Sequence, residues 1–159
     1  MEKFYLTNSH PEAGLVNYIE MVEDPLTNQL FQVGAWRPLI TGLKHPTYTT
    51  YDFDNKLFYI CNCDDILQYE VDFAHTNGED IIYAINPEVV IKDVNCGGLT
   101  LDKFNNLFFV DQENSHIKKI KRDKLMNADR RGWLKDDIRT VYQGDLSSRA
   151  RNIVDIDIE

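Results

Sequence analysis

Seven side chains with metal-binding chemistry stand in three short polar stretches: His10 and Glu12 in NSHPEAG (8–14), Asp64 and Asp65 in NCDD (62–65), and Glu113, Asn114 and His116 in QENSH (112–116). Carboxylate and amide oxygens suit calcium, and imidazoles suit zinc. Polar turns are ordinarily built from these same residues. No pair here stands at a ligand spacing of known specificity, so the expectation is no cofactor, with calcium as the alternative. Asp52, Asp102 and Asp157 recur at one place in a repeating pattern. An Asp that opens a turn accepts hydrogen bonds from amides two or three residues on, and recurrence marks a turn that every unit needs rather than an active site.

Cys61 and Cys63 are two apart, which on a straight strand puts both on one face and is too close for a zinc-knuckle or thioredoxin spacing. Pairing of Cys96 with either is left to geometry. From His116 to Arg131 seven Lys or Arg stand against two Asp. Lys118, Lys119 and Lys121 could there dock an acidic partner; the plainer reading is a solvated outer strand whose lysines discourage edge pairing. The chain contains no Gly-rich phosphate loop, G-x-S-x-G, H-E-x-x-H or Cys–His pair at catalytic spacing, and an independent enzyme is not expected.

These side chains hang on a chain of 159 residues, 43% hydrophobic and 27% charged, a size for one compact domain with a single core. No apolar run is long enough to span a bilayer. Seventeen basic against 26 acidic residues give a net charge of −9, which repels phosphate backbones and anionic lipid, so neither nucleic acid nor membrane insertion is expected. MEKFYLTNSH lacks the basic and apolar regions of a secretory signal. The cysteines are odd in number, and none of thirteen Asn begins an N-x-Ser/Thr sequon. An intracellular setting, cytoplasmic or organellar, is expected.

The chain repeats itself. Thr49 to Tyr59 (TTYDFDNKLFY) and Leu99 to Phe109 (LTLDKFNNLFF) align at an offset of fifty, with identities at Thr50/Thr100, Asp52/Asp102, Asn55/Asn105, Leu57/Leu107 and Phe58/Phe108. After a one-residue shift, Ile66 falls on Ile117 and Tyr69 on Ile120. A third copy begins part-way through its unit: Phe4-Tyr5-Leu6 matches Phe58-Tyr59-Ile60, and LVNY (15–18) matches ILQY (66–69). Within a unit the periods are those of strands. Leu99 to Leu101 is a short inner strand, Leu107 to Val110 a run buried on both faces, Ile117 to Arg122 a charged third strand, and Thr140 to Gln143 or Val89 to Lys92 a fourth. Polar insertions, 74–80 and 123–137, separate the third strand from the fourth, the latter with room for a helical turn. Four short antiparallel strands repeated at about fifty residues are the pattern of propeller blades.

The last residues, NIVDIDIE, align with GLTLDKF: Val154 falls on Leu99, Ile156 on Leu101 and Asp157 on Asp102. A second Met1 placed after Glu159 resumes the repeat in register. The expected fold is therefore all-β: three four-stranded antiparallel blades, half of a six-bladed β-propeller, one blade split between the termini. The single domain 1–159 divides into units of about 1–43 (outer strands of the split blade), 44–94 and 95–146, with 147–159 as an inner strand. Phe4, Tyr5 and Leu6 at one edge, and Val154, Ile156 and Asp157 at the other, are the residues expected to meet a partner.

GLTLDKFNNLFFVDQENSHIKKI (98–120) resembles a blade of the six-bladed propellers with NHL or YWTD repeats, and Phe108-Phe109-Val110-Asp111 occupies the YWTD place. Phe58-Tyr59-Ile60-Cys61 and Phe4-Tyr5-Leu6-Thr7 occupy it without the Asp. The resemblance implies a propeller, a fold that hosts scaffolds, receptor modules, lactonases with a calcium ion at the channel mouth, and an amidating lyase. Three blades close no channel. The function expected is a non-enzymatic interaction or scaffold module completed by a second copy or by another protein. The alternative is a calcium-dependent lactonase, hydrolase or lyase assembled across two halves.

Overall fold

The computed structural model describes residues 3–127 and 137–143. The chain divides into two compact units, 1–46 and 47–159. The described residues are all-β, with three antiparallel sheets and one short helix.

The first unit holds one sheet of three strands, β1 (Lys3–His10), β2 (Leu15–Glu23) and β3 (Leu30–Ile40), paired in chain order. Val16, Tyr18, Ile19 and Ile40 are its buried side chains. The β1–β2 turn ends on Gly14, whose φ of 64° is left-handed and whose position leaves no room for a side chain: a Cβ there would strike the Leu43 carbonyl oxygen. Glycine alone satisfies both demands.

The second unit holds two four-stranded meanders. One runs β4 (Pro46–Asp52), β5 (Leu57–Asn62), β6 (Asp65–Thr76) and β7 (Glu79–Ile91). The other runs β8 (Cys96–Leu101), β9 (Leu107–Asp111), β10 (His116–Ile120) and β11 (Arg139–Gln143), with helix α1 (Arg122–Asn127) before its last strand. β5 is buried at every residue and β9 at four of its five, as their unbroken apolar runs require. Leu57 and Tyr59 of β5, Leu99 of β8, Leu107 and Phe109 of β9, Ile120 and the helical Leu125 belong to one core cluster.

The 74–80 insertion is in fact strand. β6 and β7 continue as a ribbon to Thr76 opposite Glu79, turned by Asn77-Gly78 at φ 54° and 79°. Two successive left-handed residues are what a two-residue hairpin needs, and Asn-Gly supplies them.

The hairpins and their irregularities bear on the sequence alignment. Leu67 lies opposite Ile60 and Ile117 opposite Val110, so across these hairpins the fifty-residue offset carries through the turn, while the slip toward the fourth strand follows Ile66 in one sheet and Ile117 in the other, as the one-residue shift has it. In the first unit the pairing is displaced by two residues. β2–β3 and β6–β7 share their irregularities: each slips after Val16 or Ile66, and again between Tyr18 and Glu20 or between Gln68 and Glu70. A left-handed residue, Gly34 or Asn86, accompanies the second slip. Tyr18 therefore corresponds to Gln68. Thr7 faces Tyr18 as Tyr59 faces Gln68, so Leu6 and not Phe4 takes the place of Phe58.

Candidate functional site

The turn aspartates act as the recurrence suggests. Asp52 Oδ1 accepts from the Asp54 and Asn55 amides, both at 3.0 Å, and Oδ2 from Asn55 Nδ2 at 2.7 Å. Asp102 repeats this with the Phe104 and Asn106 amides at 2.9 Å and with Asn106 Nδ2 at 2.9 Å. Burial pushes the Asp102 carboxyl up, but these hydrogen bonds outweigh it and hold the group below its usual range. Asp157 lies outside the described residues. The two turns are joined by Asn105 Nδ2 donating to Asp54 Oδ2 at 2.7 Å and by the Arg122 guanidinium donating to Asn55 Oδ1 at 3.2 Å. A cleft of about 430 Å³ lies between them, lined by Tyr51, Phe53, Asp54, Asp102, Lys103 and Asn105 among others. Asp54, Asp102 and Asn105 are already occupied by the turns' own hydrogen bonds.

The candidate metal ligands are spread over separate turns. Glu12 is exposed in the β1–β2 turn of the first unit, with His10 at the end of β1. In the second unit Asp64 is exposed in the β5–β6 turn and Asp65 begins β6. Glu113 and Asn114 are exposed in the β9–β10 turn, and His116 begins β10. Among the described residues no group of three or more His, Cys, Asp or Glu side chains is gathered to hold a metal ion.

Asn114 instead serves Asp111, a residue that the sequence marked only as part of the apolar-Asp pattern. Asp111 is 4% exposed, and its Oδ2 accepts from Lys118 Nζ at 2.6 Å and from Asn114 Nδ2 at 2.8 Å. Burial pushes its carboxyl up, but the hydrogen bonds from Lys118 and Asn114 outweigh this and hold it below the ordinary value. Lys118 thus points its charge into the fold. Lys119 lies over the Phe108 ring, 5.0 Å from its centre, and only Lys121 of the three is exposed.

A carboxyl whose folded pKa lies below its unfolded value stabilises the fold above the unfolded value, near pH 4, and this stabilisation disappears as pH falls through the folded one. Asp102 and Asp111 are both of this kind. The thermal midpoint should hold between neutral pH and about pH 5 and fall below about pH 4, and Asp111→Asn should flatten that fall. An unchanged profile in the variant would contradict the role given to Asp111.

Cys61 and Cys96 form a disulfide, with Cα atoms 5.5 Å apart, that joins β5 to β8. Cys63 sits in the turn at a left-handed φ of 58° and is exposed, so the chain reverses between the two neighbours and they do not share a face.

The remaining feature is an edge. β5 and β9 each have a strand on both sides, β4 and β6, β8 and β10. β1 corresponds to them but has β2 on one side and, among the described residues, no strand on the other. Its expected contact residues are placed accordingly: Phe4 is 38% and Leu6 49% exposed, Tyr5 is half-buried, and the corresponding Phe58 is 4% exposed. Tyr5 packs edge-on against Tyr18, with ring centres 6.4 Å apart. The strand also turns polar where its counterparts are apolar, with Thr7, Asn8 and Ser9 at the places of Tyr59, Ile60 and Cys61. Val154, Ile156 and Asp157, the other expected contacts, lie outside the described residues. No protein-family model and no curated protein matches the chain.

Proposed function

We propose that the chain is a non-enzymatic assembly module, half of a six-bladed β-propeller that a second copy of itself completes. One observation carries this: among the described residues the first sheet has no counterpart of the strand that precedes β5 and β9 in the other two, and β1, with Phe4 and Leu6, stands there as an edge. An apolar sheet edge is a template for pairing with another chain, and full closure removes it. The coincident slips of β2–β3 and β6–β7 support reading the first sheet as the same unit with its first strand missing.

The module would act by adding main-chain hydrogen bonds along β1, with apolar side chains fixing which face meets the partner. Two-fold symmetry would repeat the junction, so that β1 of each copy is paired on both sides. The binding chemistry is strand completion, and no side chain needs to react. The test is the state of the chain in solution, because completion requires a second chain and a lone stable one refutes it.

A further inference from the structure

We infer that the cleft between the two aspartate-led turns takes an arginine side chain of a protein partner. This stands apart from the assembly reading above, since every residue it uses belongs to the second unit. The cleft, of about 430 Å³, is of the size of small-ligand sites. One wall is an aromatic corner: Tyr51 and Phe53 meet edge to face, with ring centres 4.7 Å apart, and Phe53 is 83% exposed. The turn does not call for an aromatic residue there, because Lys103 holds the same place in the other turn. A ring so exposed adds little to the core, whereas its open face suits a planar cation.

The charges of the cleft select the sign and the source. Asp102 commits both oxygens to its own turn, to Phe104 and Asn106. Asp54 gives only Oδ2 to the bridge from Asn105, and its Oδ1 has no hydrogen-bond partner among the described residues. Lys103, the base in the lining, has its ammonium 5.1 Å from the centre of the Phe104 ring, which lies outside the lining. Two carboxylates against one ammonium leave the cleft negative, and the net charge of −9 draws cations from a distance. A guanidinium stacked on Phe53 and donating to Asp54 Oδ1 would use both features, with its apolar stem along Leu101. A lysine ammonium has neither the plane nor the fork. A free amino acid would also bring an α-carboxylate, for which the lining offers no unengaged base. The bridges from Asn105 to Asp54 and from Arg122 to Asn55 already hold the two turns together, so little would have to be ordered on binding.

Chemical shifts of the full chain during titration with N-acetyl-arginine amide test this. The expected result is saturable shifts at the Phe53 and Lys103 amides, with N-acetyl-citrulline amide, similar in shape but uncharged, and N-acetyl-lysine amide each binding at least several-fold more weakly. Phe53→Ala and Asp54→Asn should each weaken the arginine amide several-fold. Both positions are exposed, and in Asp54→Asn the side-chain oxygen can still accept from Asn105, so the rest of the spectrum should stay unchanged and report an intact fold. Equal binding of the citrulline amide would overturn charge as the basis of recognition, and equal binding of the lysine amide would overturn the guanidinium. Binding untouched by both substitutions, or no saturable shift at all, would overturn the cleft as the site. Free arginine bound more tightly than its blocked amide would overturn a protein side chain as the source.

Discussion

Phe109→Ala should lower stability by about 3 to 5 kcal/mol, a large part of the 5 to 15 kcal/mol that is typical of a domain. Phe109 is wholly buried and belongs to the core cluster with Leu107, Ile120 and Leu125, so its removal leaves a cavity that strands from β8 to β10 would have to collapse to fill. Phe108, its neighbour in β9, is only half-buried, with its ring under Lys119. Phe108→Ala should cost roughly 1 to 2 kcal/mol. The sequence aligns Phe58 with Phe108 and reads Leu107 to Val110 as buried on both faces; the structure buries Phe58 to 4% exposure and leaves Phe108 partly open. Denaturant unfolding of the two variants checks this, and equal losses would contradict the assigned faces of β9.

Breaking the Cys61–Cys96 bond should cost about 2 to 4 kcal/mol. It closes a loop over a separation of 35 residues and ties β5 to β8, so opening it restores chain freedom to the unfolded state. Cys96→Ala, or reduction of the native chain, should therefore lower the unfolding midpoint, while Cys63→Ser, at an exposed and unbonded thiol, should change stability by less than about 0.5 kcal/mol. In a reducing interior, the setting expected from the odd cysteine count, the bond would open and the core cluster alone would hold β5 against β8. Equal responses of Cys63→Ser and Cys96→Ala would show that the bridge carries no stability.

The strands were legible wherever local pattern decides. The apolar runs of β5 and β9, the fifty-residue offset and the Asp-led turns could all be read from residue types alone. The Asn77-Gly78 turn was equally legible, since Asn-Gly between strand-forming residues is a hairpin signal, but the polar residues around it gave it the look of an insertion. What the sequence hid depends on partners distant in the chain. Matching Phe4 to Phe58 compares apolar triplets alone, whereas the slips shared by β2–β3 and β6–β7 set Tyr18 on Gln68 and so Leu6 in that place. Lys118 and Lys121 look alike in the sequence; only the fold sets Lys118 beside Asp111. The Cys61–Cys96 bond likewise depends on two strands meeting from different sheets.

Equilibrium sedimentation of the purified chain across a range of concentrations tests the central claim most directly, because an open β1 edge and a completed one differ by a whole second chain. The account predicts a species at twice 18.5 kDa that persists on dilution. A stable, monodisperse monomer at 18.5 kDa would contradict it.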